Sequence, residues 1–282
     1  MQEKIALVVD SMCDLPREII AYFKIKVLPA KIIYSNSEEY ADGVDIRPEE
    51  IYKRMPAEIP TTAMPALNEI KEIFENILQE GFTHVLALHI SGGLSGTAQA
   101  VAMVARDFDN IITEVIDTKT LSMGTGWMVL EAAHNIACGL SFKQIIANIL
   151  NIQERVKVYY IIETLEYLRR GGRIGKVAAM LGEFLHLKPI ISVDHEGNYF
   201  TFCKTRGRNK SIDKLVEIVE NAVKEKQIKL AVLNGGAALE FDKLVTRLRN
   251  LPNIKELITS DISPALCVHT GPGLLGISFY EV

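Results

Sequence analysis

The chain has 282 residues, 48% of them hydrophobic, and a formal net charge of -4. That length can bury a sizeable core in one large or two modest domains, and the charge balance gives no reason to expect a nucleic-acid partner. No uncharged apolar run approaches the ~18 residues of a helical membrane span. The first apolar run follows directly on Glu3-Lys4, without a signal-peptide pattern, and Cys13, Cys138, Cys203 and Cys267 are far apart with no metal-binding spacing. The expectation is a cytoplasmic protein with reduced thiols, no metal and no cofactor.

In chain order, Ile5-Ala-Leu-Val-Val-Asp10 reads as a buried strand ending on a carboxylate, and residues 11–16 as the start of a helix capped by Asp14. Residues 26–34 are expected as a second strand, 40–45 as a polar turn and 48–55 as a short helix. Between Pro60 and Pro65 lies a stiff loop that aims the Thr61 and Thr62 hydroxyls in fixed directions. A helix over residues 66–79 leads into an apolar strand at 85–90. Another strand spans 111–117, and helices follow over 121–138 and 141–151. Strands alternating with helices predict a parallel sheet with helices on both faces, and ligands in such sheets bind beyond the carboxyl ends of the strands.

One such end carries Ser91-Gly92-Gly93-Leu94-Ser95-Gly96-Thr97, after which Ala98, Val101, Ala102 and Ala105 recur at helical spacing. Strand, Gly/Ser loop and helix N-terminus together form a cradle for a phosphate or carboxylate. Plain helix capping by Ser91 or Ser95 is the alternative. The loop lacks the Gly-Lys-Ser/Thr of a P-loop and the register of a dinucleotide fingerprint. Thr97 stands where a nucleophile elbow needs glycine.

A boundary is placed near residues 152–155, giving an N-terminal α/β domain over 1–153 and a C-terminal α/β domain with a mixed sheet over 154–282. The second half is expected to hold a strand at 156–162 and a basic, glycine-rich turn with Arg169, Arg170, Gly171, Gly172, Arg173 and Lys176. An apolar helix over 177–187, including Met180, Leu181 and Phe184, is expected next; if it borders a cavity, that cavity takes an apolar ligand. A hairpin over 189–205, a helix at 212–224, a strand at 229–233, a helix at 238–249 and strands at 254–259 and 275–280 complete the layer. His269-Thr270-Gly271-Pro272-Gly273 is read as a loop whose histidine could steady an anion or act as a base.

Asp10-Ser11-x-x-Asp14-Leu15-Pro16, Pro60-Thr61-Thr62, Leu94-Ser95-Gly96-Thr97, Tyr167-Leu168-x-x-Gly171-Gly172-Arg173-Ile174 and His269-x-Gly271-Pro272-Gly273 resemble, in that order, the DegV family of bacterial fatty-acid-binding proteins. The resemblance spans the chain. It implies two α/β domains with one long-chain fatty acid buried between them, its carboxylate held by Thr62, Ser95 and the Gly96 amide and supported by His269. It implies a carrier without turnover of its own, which presents the acid to a separate ATP-dependent fatty acid kinase for acyl-phosphate formation, with Arg170 and Arg173 facing the kinase or the phosphorylated head. Ala63-Met64-Pro65 replaces the family's usual Ser-Gln-Pro and Gly92 replaces a serine, so fewer side-chain donors surround the head group. The competing expectation is a serine hydrolase acting on acyl esters or thioesters, with Ser95 as nucleophile, His269 as base and Asp10 as orienter.

Overall fold

A computed structural model describes residues 3–182 and 187–282. The strands are β1 (Ile5–Asp10), β2 (Lys26–Leu28), β3 (Lys31–Ile33), β4 (Glu39–Ala41), β5 (Thr61–Ala63), β6 (His84–His89), β7 (Ile112–Asp117), β8 (Lys157–Ile161), β9 (Lys188–Val193), β10 (Tyr199–Thr205), β11 (Ile228–Gly235), β12 (Ile254–Asp261) and β13 (Leu274–Glu281). The helices are α1 (Arg17–Tyr22), α2 (Pro48–Arg54), α3 (Leu67–Gln79), α4 (Thr97–Ala105), α5 (Met123–Ala137), α6 (Phe142–Gln153), α7 (Glu166–Arg170), α8 (Arg208–Glu225), α9 (Ala238–Arg249) and α10 (Pro264–Thr270).

Strand order β2-β1-β6-β7, all parallel, makes the first sheet. Along β1 the side chains alternate: Ala6 and Val8 pack with Ile70, Phe74 and Val101 of α3 and α4, while Ile5, Leu7 and Val9 pack with Met128 and Ile145 of α5 and α6. That period of two is why an uninterrupted apolar strand needs helices on both faces. The second sheet, β10-β9-β8-β13-β11-β12, is antiparallel except where β11 meets β12. Its outer face packs on α8 and α9 through Leu215, Val219 and Leu244. Its inner face, with Val158, Tyr160 and Tyr280, shares one apolar cluster with α5 and the first sheet. Fully buried Trp127 bridges the two halves, its indole N–H donating to the Ser278 carbonyl at 3.2 Å.

The hairpin turn between β9 and β10 docks on the Gly/Ser loop. The Ser91 hydroxyl donates to the Gly197 carbonyl at 2.9 Å. A Cβ at position 93 would meet that carbonyl oxygen at 2.9 Å and Asn198 Oδ1 at 2.8 Å, so only glycine allows the approach.

Several sequence expectations are corrected. The strand expected over 26–34 splits, with β2 in the first sheet and β3 in a three-stranded antiparallel sheet ordered β4-β3-β5; Pro29 and Ala30 lie between them, and proline cannot continue a ladder. The Thr-Thr loop is an edge strand. Asp14 does not cap α1: it sits in left-handed backbone at φ 53°, and α1 begins at Arg17 after Pro16. The loop expected around His269 begins as helix α10, which is buried throughout and so shows no amphipathic period. The apolar helix expected over 177–187 opens as a 3-10 turn, Gly175–Met180. Glu183, Phe184, Leu185 and His186 lie outside the described residues.

Trp127→Ala should lower the unfolding free energy by about 3–5 kcal/mol, because it opens a large cavity between the sheets. Urea denaturation measures this, and a loss below about 1 kcal/mol would show that the halves are held together elsewhere.

Candidate functional site

The carboxyl ends of β1 and β6 are tied together by one carboxylate. Fully buried Asp10 accepts from Met12 N–H at 3.1 Å and from Ile90 N–H at 2.8 Å. This fixes where the chain leaves β6 and where the Gly/Ser loop starts. The residue at the cap position of α4 is Gly96, without a side-chain hydrogen bond; Ser95 just before it accepts from the Thr97 N–H at 3.4 Å, and its hydroxyl also pairs with Thr97 Oγ1 at 2.9 Å. The helix N-terminus keeps its electropositive end, since the Ser95 hydroxyl engages only one of its first N–H groups.

Beside it lies a cavity of about 240 Å³. It is lined by the polar Thr62, Ser95, Gly96, Arg173 and His269 and by the largely apolar Met12, Ile90, Leu94, Tyr199 and Leu266. The site thus draws residues from both halves. Thr62 is placed by β5, which pairs it with Ile32 of β3. His269 comes from the last turn of α10, and its Nε2 lies 2.7 Å from Thr62 Oγ1. Only 8% of His269 is exposed, and its Nδ1 finds no partner among the described residues. The imidazole packs against Gly171, where any Cβ would collide with Nδ1. Burial first, and the Arg173 guanidinium second, push the His269 pKa down to about 4, so the ring is neutral at physiological pH.

Arg173 is half-buried and partly occupied by the protein itself, donating from Nη1 to the Gly171 carbonyl at 2.7 Å and from Nε to the Leu94 carbonyl at 3.2 Å. Arg170 lies apart from it, exposed on α7 and paired with Glu166 at 2.7 Å. Met180 is buried in the main cluster without lining this cavity. Leu181 is 45% exposed, a correction to its expected place in an apolar wall. In a 3-10 turn successive side chains point about 120° apart, so burying Met180 turns Leu181 outward. Sequence reasoning missed Met12, Ile90, Leu94, Tyr199 and Leu266. Tyr199 reaches the cavity only because the β9–β10 hairpin folds back.

The hydrolase constellation is not assembled. Ser95 pairs with Thr97, His269 with Thr62, and Asp10 with backbone N–H groups, while the imidazole's Nδ1 has no partner among the described residues. The described residues hold no group of three or more His, Cys, Asp or Glu able to bind a metal. No helix among them is long and apolar enough to cross a membrane.

Fold and site define an α/β protein with a cavity lined by both polar and apolar side chains. The chain belongs to the DegV family, described as uncharacterised proteins, whose profile matches residues 4–282. It is 41% identical over 279 residues to a DegV domain-containing protein of Clostridium acetobutylicum, covering 99% of each chain. Among solved structures it is similar to a DegV family protein of Thermus thermophilus described for fatty-acid binding, with a TM-score of 0.92 and 31% identity over 99% of this chain and 100% of that one. It is also similar to DegV of Bacillus subtilis, described as a fatty acid binding protein, with a TM-score of 0.91 and 27% identity over the whole of both chains.

The neutral histidine sets a pH dependence. The unfolded ring takes up a proton near its ordinary value of 6.5, whereas the folded ring does so only near 4. The His269 contribution to stability should therefore be fully present above about pH 6.5 and be lost as the pH drops toward 4, since the unfolded chain binds the extra proton, while Asp42, raised to about 6, contributes with the opposite sign in the lower part of that range. Replacing His269 with Gln should flatten this slope in urea titrations at stepped pH; an unchanged slope would place the proton uptake elsewhere.

Proposed function

We propose that the protein binds one long-chain fatty acid, with its carboxylate at Thr62, Ser95 and the Gly96 amide. The supporting observation is the Thr62–His269 pair in a cavity that is also lined by Ser95, Gly96 and the apolar side chains of Met12, Ile90, Leu94 and Leu266. A neutral imidazole donates from one nitrogen only. With the proton on Nε2, His269 donates to Thr62 Oγ1, which frees the threonine hydroxyl to donate to a carboxylate oxygen. Ser95 turns its hydroxyl from Thr97 to the same group. The donors are hydroxyls and an amide rather than an opposing charge pair, with Arg173 as the nearby cation.

The acyl chain lies between an N-terminal domain over 1–153 and a C-terminal domain over 154–282. Burying about 15 methylenes at about 0.8 kcal/mol each contributes roughly 12 kcal/mol before ordering costs. One charge-assisted hydrogen bond contributes about 1.5–3 kcal/mol. The tail supplies most of the affinity and the head-group donors set its direction. In this reading the protein is a cytoplasmic carrier that presents the carboxylate to a separate fatty acid kinase. Arg170, exposed on α7, faces that partner, and Arg173 lies where the phosphorylated head would form.

Native mass spectrometry of the purified protein, followed by lipid extraction, should give one fatty acid per chain. A mass equal to the bare polypeptide, unchanged after incubation with mixed fatty acids, would overturn the ligand class. Thr62→Ala with Ser95→Ala should weaken binding of the acid by about 10–100-fold while leaving the fold intact. Arg170→Glu should leave loading unchanged and abolish phosphorylation by the kinase; normal phosphorylation would remove Arg170 from the interface.

A further inference from the structure

Helix α10 carries His269, yet it has only seven residues. So short a helix does not persist by its own hydrogen bonds. Its first turn is held by two carboxylates from the other half of the chain. Ser263 N–H donates to Asp14 Oδ1 at 2.8 Å, and Ala265 N–H donates to Asp42 Oδ1 at 3.0 Å. The remaining oxygens are also engaged: the Ser122 hydroxyl donates to Asp14 Oδ2, and the Ser11 hydroxyl donates to Asp42 Oδ2 at 2.5 Å. The Asp14 carbonyl accepts from the Ser260 hydroxyl at 2.6 Å, which ties the end of β12 to the same point. Asp14 and Asp42 are 5% and 2% exposed.

The network leads to the cavity from two sides. The Ser11 hydroxyl that donates to Asp42 also accepts from Ala30 N–H at 3.1 Å, and Ala30 and Met12 line the cavity. Through α10 it leads to Leu266 and His269, also in the cavity wall. The helix is too short to bend independently of its cap, so a displaced first turn carries the imidazole with it.

We propose that Asp14 and Asp42 are positioning residues for the head-group site: acting through α10, they set where His269 meets Thr62. This rests on the reading of Thr62 and His269 as the carboxylate site. The energetics agree with a role beyond stability. Burial pushes both carboxyl groups up, Asp42 to about 6. A carboxyl group whose pKa is raised on folding makes the folded state less favourable as the pH rises from the unfolded value toward the folded one, so at neutral pH an ionised Asp42 weakens the fold on balance. Local conflicts of this kind concentrate at functional sites.

The test compares palmitic acid with methyl palmitate, which matches its tail but lacks an anionic head. Titrations are run on wild type, Thr62→Ala, Asp42→Ala, Asp42→Asn and Ser11→Ala. Wild type should prefer the acid, and Thr62→Ala should remove that preference. Asp42→Ala should weaken acid binding about tenfold with ester binding unchanged, the size of one lost charge-assisted bond. Asp42→Asn keeps an acceptor for Ala265 N–H and should restore most of the loss; Ser11→Ala should give a smaller loss of the same sense. The His269 ring 15N resonances should move in Asp42→Ala. Equal losses for acid and ester, or an unmoved His269 signal, would reduce Asp42 to a packing role and overturn the proposal. If Asp42→Ala does not fold, the acid-to-ester ratios of Asp42→Asn and Ser11→Ala decide by the same criterion. Should Thr62→Ala keep the wild-type ratio, the head-group reading fails first. Should Thr62→Ala change it and the Asp42 and Ser11 variants not, only the positioning role fails.

Discussion

The hydrogen bond between Thr62 and His269 joins an edge strand of the first half to a short helix of the second. Three placements must coincide for it to form. β5 must pair with β3 in the register that sets Thr62 opposite Ile32, because a slip of one residue would turn its hydroxyl to the other face. α10 must be held at its first turn. Position 171 must lack a side chain, since the imidazole occupies the space a Cβ would need. Each condition is met by a different stretch of chain, so the site exists only in the complete fold.

Those placements are kept by an apolar cluster that neither sheet closes alone. β1 and β6 turn alternate residues toward α5 and α6, and the inner face of the second sheet packs on the same helices from the other side. Trp127 fills the middle. Its one polar atom finds the Ser278 carbonyl, so the ring is buried without an orphaned donor. The cavity is an edge of this cluster, where Met12, Ile90, Leu94, Tyr199 and Leu266 meet polar groups instead of one another.

The parallel sheet, its two helical faces and the Gly/Ser loop were legible in the sequence because apolar runs and glycine punctuation report directly on buried strands and tight turns. Thr62, Ser95, Gly96 and His269 were expected near one another from a family resemblance, and the structure brings them to one cavity. What could not be read were features set by distant packing. α10 is buried on every side, so its sequence has no helical period; β5 is a strand only because β3 lies beside it; Leu181 turns out because the segment before it is a 3-10 turn. Asp14 looked like a local cap. It does help hold a helix start, but that helix is more than 240 residues away, since Ser263 N–H is its donor.

The distribution of charge in this molecule follows from that arrangement. Asp10, Asp14 and Asp42 are all buried, and each accepts from backbone N–H groups at a strand end, a turn or a helix start. A carboxylate with two oxygens can hold two separated segments at once, which a serine or asparagine cap does less strongly. None of the three lines the cavity, whereas Arg173 and the N-terminus of α4 place positive character within the cavity wall. His269 stays neutral because burial and, second, the Arg173 guanidinium both push its pKa down to about 4. A protonated His269 would be a fixed cation able to draw in any small anion. A neutral ring, able only to orient a neighbouring hydroxyl, leaves the selection of a ligand to the apolar lining as well as to the polar groups.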